Sequence, residues 1–171
     1  MAVATSFVHG NGVVSEREGG ANIGSPGPFL LVDGVPWSDV VGLPRGWGKA
    51  YRGKSGQSVW FHASVPTPVR EGSWQVALQD VFLLFNSENA AVLTDVHAWD
   101  GSDRFSVTGG LRVSGDRSHN PSLGTNAFQP RNADGSIHRM TFGLCVCMQF
   151  HFDADATVTF NSVGANFLYG G

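Results

Sequence analysis

Residues Met140 to Phe152, which read MTFGLCVCMQFHF, constrain the fold more than any other part of the chain. The segment is too β-branched, aromatic and Gly-interrupted for a helix, and it predicts one long strand. With a two-residue period, one face carries Phe142, Leu144, Val146, Met148, Phe150 and Phe152 and is wholly apolar. The other face carries Gly143, Cys145, Cys147, Gln149 and His151. A strand of this kind sits in the middle of a packed sheet, so the chain is expected to be all-β with a dense core.

Other segments repeat the two-residue period. Val59, Phe61, Ala63 and Val65 alternate with Trp60, His62 and Ser64, until Pro66-Thr67-Pro68 ends or edges the strand. In Trp74 to Phe85 the apolar positions change parity, from Trp74, Val76 and Leu78 to Val81, Leu83 and Phe85. That slip predicts a β-bulge near Gln79-Asp80. Ala91 to Trp99 reads as a strand closed by Asp100-Gly101. Phe105 to Val107 and Leu111 to Val113 flank Gly109-Gly110 as a hairpin or a bent strand. A last strand carries Val158 and Phe160 and ends near Phe167-Leu168-Tyr169.

Residues 1 to 57 are different. Turn formers recur every few residues, as in His9-Gly10-Asn11-Gly12, Glu18-Gly19-Gly20, Ser25-Pro26-Gly27-Pro28, Asp33-Gly34 and Pro44-Arg45-Gly46. Only short strands such as Phe29 to Val32 fit between them, and this part is expected to be loops and edge strands wrapped on a core made elsewhere. Helical periodicity without Gly or Pro never lasts ten residues. A chain of 171 residues suits one domain. The expectation is a single-domain antiparallel β-sandwich, jelly-roll-like, over 1–171, with a loop-rich part at 1–57 and the main core strands at 58–171.

Charged residues make up 15% of the chain, against about 25% in typical soluble domains. A surface this poor in charge implies that part of it is covered, and a homo-oligomer is the expected cover. The net charge of −3 and the scattered basic residues argue against nucleic acid. No apolar run approaches the roughly 18 residues of a membrane span. The start, Met1-Ala2-Val3-Ala4-Thr5-Ser6, lacks a basic n-region and a long apolar stretch, so the expected location is cytoplasmic, with a mature secreted chain restarting at Met as the alternative.

Four groups of residues could carry chemistry. Cys145, Cys147 and His151 share one strand face, and thiolate with imidazole suits zinc. Zinc sites usually draw ligands from turns, however, so packed reduced thiols are the expectation, with no metal and no cofactor. Among the histidines no His-x-His or His-Glu-x-x-His occurs, and His62 and His97, on faces shared with Trp60 or Trp99, are expected to be structural. Acidic turns such as Asp100-Gly101-Ser102-Asp103, the run through Asp134, and Asp153-Ala154-Asp155 could offer oxygens to calcium, but Asp-Gly pairs are mainly turn formers. Trp37 and Trp47 lie in Gly/Pro-rich loops and could stack on a sugar ring, with His119 and Asp134 of the long polar segment Ser114 to Ser136 beside it. Leu123 and Phe128, the large apolar residues of that segment, are expected to dock it.

Four stretches stand out together: Ser6-Phe7-Val8-His9-Gly10-Asn11; Arg45-Gly46-Trp47-Gly48 leading into Trp60 to Val69; Val96-His97-Ala98-Trp99-Asp100-Gly101; and Ser162-Val163-Gly164-Ala165-Asn166-Phe167. With them the chain resembles a family of small bacterial proteins of unknown function. The resemblance covers most of the chain and implies no catalytic residue. The likeness to jelly-roll capsid and lectin folds is one of architecture alone. The expected role is therefore a non-enzymatic, self-assembling structural protein. A carbohydrate-binding module with a glycan partner is the alternative, and a metal-dependent enzyme comes third.

Overall fold

The computed structural model describes residues 2–16, 31–32, 35–36, 43–72 and 74–169. Strand β1 (Ala2–His9) leads through a 3-10 turn at Gly10–Gly12 to β2 (Val14–Ser15). Next come β3 (Leu31–Val32), β4 (Val35–Pro36), β5 (Leu43–Arg45), β6 (Gly48–Gly53) and β7 (Gln57–Val65). A ribbon of β8 (Arg70–Glu71) and β9 (Trp74–Gln75) precedes β10 (Ala77–Ser87), β11 (Ala91–Asp100) and β12 (Asp103–Thr108). Short β13 (Gly115–Arg117) and β14 (Ala127–Phe128) interrupt the polar loop before β15 (Leu144–Phe152) and β16 (Ala156–Tyr169).

Two antiparallel sheets pack face to face. One has the order β13-β10-β16-β6-β5, with β1 added to β16 and β14 to β10. The other runs β12-β11-β15-β7-β2. The protein is thus an all-β sandwich. The predicted central strand is central: β15 pairs with β11 on one side and β7 on the other. Its inward residues Leu144, Val146, Met148, Phe150 and Phe152 are buried. The Phe150 ring meets those of Phe85 and Phe160 edge-on, at 5.2 and 5.5 Å, the arrangement that aromatic quadrupoles favour. The slip predicted at Gln79-Asp80 is present, as a register shift between Leu78 and Asp80 where β10 meets β16. Beyond the Gly109-Gly110 kink the chain does not form a hairpin. It continues along β11, with Leu111 N–H bonded to the Thr94 carbonyl and Val113 paired with Leu93.

Three expectations need correction. The strand containing Cys145 starts at Leu144, not Met140. The N–H groups of Thr141, Phe142 and Gly143, which a ladder would need, all donate to the buried carboxylate of Asp100, at 2.7 to 2.9 Å. Phe142 leaves the core face as a result. It is 75% exposed and lies against Gly101.

Second, the first third holds more than short strands. The eight residues of β1 pair along their length with β16, from Ala2↔Tyr169 to His9↔Ser162. Val13 and Tyr51 belong to the core. The pattern in β1 is inverted, with Val3 and Phe7 facing solvent and Ala4 and Ser6 turned inward, so no apolar stripe announces it. Of the expected strand Phe29 to Val32, Leu31–Val32 forms β3 and the rest lies outside the described residues.

Third, Phe128 docks the polar loop by pairing with Val81, but Leu123 is 63% exposed. Asn126 does the remaining work. Fully buried, its Nδ2 donates to the carbonyls of Leu83, Arg117 and Asn120, and its Oδ1 accepts from the N–H of Ser122.

Candidate functional site

The outer face of the β7-β15-β11 sheet brings together His62, His97, Cys145 and Cys147. Alternation turns Cys145 and Cys147 out of β15, away from the cluster between the sheets. The register sets His62 of β7 opposite Cys147 and Ser64 opposite Cys145. On the other flank His97 lies opposite Cys147 and Trp99 opposite Cys145. One row below, Gln149 lies between Trp60 and Asp95. Its amide carbonyl turns to the indole Nε1 at 3.0 Å and its nitrogen to the carboxylate at 3.1 Å. The Trp60 and His97 rings pack at 4.5 Å.

The centre of this face is a three-residue cluster. Nδ1 of His62 lies 3.1 Å from Sγ of Cys147, and the two sulfurs are 4.0 Å apart. The donor atoms of His62, Cys145 and Cys147 all lie within 4.8 Å of one another. It is the only such group of His, Cys, Asp or Glu among the described residues. Cys147 is buried and Cys145 half-buried. Beside Cys145 a shallow depression of about 390 Å³ opens, walled by Ser64, Thr67, Phe142 and Gly143.

Proton sharing polarises the cluster. The Cys147 thiol and the His62 imidazole stabilise a thiolate at Cys145, which is pushed down to about 5. The second proton is held: the Cys145 thiolate and burial both push Cys147 up. The same thiolate raises His62, outweighing its partial burial. The imidazole lies nearest to Cys147 yet acts electrostatically through Cys145. With the sulfurs only 4.0 Å apart it faces both, and the first proton leaves the pair as a unit.

His151, the imidazole that the sequence pairs with the cysteines, is not in this cluster. Its Nδ1 meets Ser58 Oγ at 2.9 Å and its Nε2 approaches Asp153 at 3.5 Å. His62 takes its place. Cross-strand partners sit about 5 Å apart, whereas Cys147 and His151, four residues along one strand, are separated by about 13 Å.

The sugar candidates are not assembled into one surface. Trp47 is 59% exposed at the tip of the β5–β6 hairpin, where its carbonyl accepts from Asn161. Trp37 lies outside the described residues. His119 lines a depression of about 270 Å³ with Asp116, Arg117, Asn120, Ser122 and Thr125, and no aromatic ring joins it. Asp134 closes its own turn by accepting from the N–H and hydroxyl of Ser136, which keeps its carboxyl below the usual range.

No protein-family model, curated protein or solved structure matches the chain. No helix among the described residues is long and apolar enough to cross a membrane.

Proposed function

We propose that the protein is a non-enzymatic structural β-sandwich that works as a homo-oligomer, its copies joined edge to edge through β1. The carrying observation is the character of that edge. Among the described residues β1 pairs only with β16, so the N–H and C=O groups on its far side are free to template another strand. Natural edge strands protect themselves with Lys, Pro or inward charges. The sequence AVATSFVH has none of these, and Val3 and Phe7 are 55% and 52% exposed.

A second copy is the occupant that fits. An antiparallel β1–β1 pair centred on Thr5 sets Val3 of one copy opposite Phe7 of the other at both ends, apolar against apolar, with Thr5 facing Thr5. Such an isologous contact closes as a twofold dimer and extends both sheets into one. The strand holds no Asp, Glu, Lys or Arg to oppose the approach.

Light scattering after size exclusion at micromolar concentration tests the reading. A mass near twice 18.2 kDa is expected, falling to the monomer in Thr5→Lys, which sets two like charges face to face across the axis. Wild-type protein that runs as an 18.2 kDa monomer would overturn assembly. An oligomer that survives both Val3→Lys and Thr5→Lys would overturn the β1 edge.

A further inference from the structure

We infer that His62, Cys145 and Cys147 form a binding site for a single zinc ion on the outer face of the β7-β15-β11 sheet. The argument rests on donor chemistry and spacing. Two sulfurs and one imidazole nitrogen converge from two adjacent strands, within 4.8 Å of one another. A zinc ion with Zn–S bonds of about 2.3 Å and tetrahedral angles holds its two sulfurs about 3.8 Å apart. Here the sulfurs are 4.0 Å apart before any ion enters. The same ion holds an imidazole nitrogen and a sulfur about 3.5 Å apart. The His62 to Cys147 separation of 3.1 Å therefore needs to open by tenths of an ångström, and the His62 to Cys145 separation, within 4.8 Å, to close by up to about 1.3 Å.

Ligands of this kind also select the metal. Thiolate with imidazole suits zinc, whereas carboxylate and carbonyl oxygens, absent from the cluster, suit magnesium and calcium. Binding releases the Cys147 proton to solvent, and the two thiolates then balance the charge of one divalent ion, so the occupied site is neutral. Its support is rigid. The Cys145–Cys147 pair sits on the central strand, and the His62 backbone is fixed by the ladder to Cys147 on one side and to Val14 of β2 on the other. Three protein ligands leave the fourth position to a water, as in zinc sites that stay open to solvent. The depression walled by Ser64, Thr67, Phe142 and Gly143 reaches the cluster at Cys145 and gives that water room.

The site is independent of self-assembly through β1, which belongs to the other sheet. Reduced protein, stripped with chelator, is titrated anaerobically with zinc against a chromophoric competitor, and with cobalt(II) as a spectroscopic substitute. One equivalent of zinc is expected, with a thiolate-to-cobalt charge-transfer band in the wild type. Loss of a ligand exceeds the loss of a supporting partner, so affinity should fall about 100-fold or more in Cys147→Ser and His62→Gln. His151→Gln should bind like wild type. Far-UV circular dichroism checks that each variant is folded. The cobalt band needs no variant, and its absence from wild-type protein would overturn the site. So would zinc retained by the Cys145→Ser/Cys147→Ser double variant, or zinc lost in His151→Gln while His62→Gln keeps it.

Discussion

Nε2 of His138 lies 3.1 Å from Oδ2 of Asp100, joining the loop before β15 to the end of β11. An ionised carboxylate can only accept, so the imidazole donates here. Its ring stacks flat on Phe105, with centroids 3.7 Å apart. Burial alone would raise the Asp100 carboxyl. The N–H groups of Gly143, Phe142 and Thr141, together with His138, outweigh it and hold the group below its ordinary value.

That balance predicts acid sensitivity. A carboxyl depressed in the folded state contributes stability that is complete above its unfolded value, about 3.9, and is lost as pH falls through the folded value. Denaturant midpoints measured downward from about pH 5 should decline, and Asp100→Asn should flatten part of that decline. The substitution turns an amide nitrogen toward backbone donors and should cost about 3 kcal/mol at neutral pH. A variant as stable as wild type would show that the carboxylate does not anchor the segment.

Phe150 is fully buried between the sheets, against Phe61, Phe85 and Phe160. Phe150→Ala should destabilise by about 3–5 kcal/mol through the lost transfer energy and the cavity left behind. Urea unfolding of the two proteins measures this directly. A cost under about 1 kcal/mol would mean that the sheets collapse onto the gap.

Asn126 ties three carbonyls and one N–H into a single buried amide. Asn126→Ala strands those groups and should cost about 2–3 kcal/mol. Limited proteolysis adds a local readout. The native loop should resist cutting at Arg117 and Arg131, and the variant should be cut early at one or both. Rapid cleavage of native protein at these sites would mean that Asn126 and Phe128 do not hold the loop.

Cys145 should react as a thiolate in metal-free, reduced protein. Because its thiol is pushed down to about 5, alkylation should already be fast near neutrality and change little as pH rises further. In His62→Gln the rate should fall at neutral pH, because the imidazole no longer supports the anion and only the Cys147 thiol, its larger support, remains. Peptide mapping of iodoacetamide adducts across about pH 6 to 8.5 separates the cases. A wild-type rate that climbs tenfold per pH unit would mark an ordinary thiol.

The sequence carried those features that leave a periodic trace. The inward face of β15, the alternation of β7 and the parity slip at Gln79-Asp80 are all patterns of two, and each appears where the pattern put it. Features made by contacts distant in sequence left no trace. Phe142 fits the apolar parity of β15, yet Asp100, 42 residues away, takes its backbone N–H. The site shows the same division. Cys145 and Cys147 are legible as a same-face pair, but the third member depends on the register between β7 and β15, which puts His62 and not His151 beside them. Strand arithmetic alone would have removed His151 without naming its replacement. The buried role of Asn126 had no signal beyond an Asn in a polar loop.

The pairing of β1 with β16 joins Thr5 to Asn166, 161 residues away, and at its end Ala2 to Tyr169. Closing so large a loop is entropically slow, and no local contact rewards it on the way. During synthesis β1 emerges well before β16, so until then it waits unpaired on both edges. Nascent copies held close together on one messenger would present this strand to each other before either could fold it home. A β1 that docks onto a neighbour's β16 gains the same ladder as one that docks onto its own. Exchange of this strand between chains is therefore a misassembly route open to the fold, favoured by crowding and suppressed by dilution.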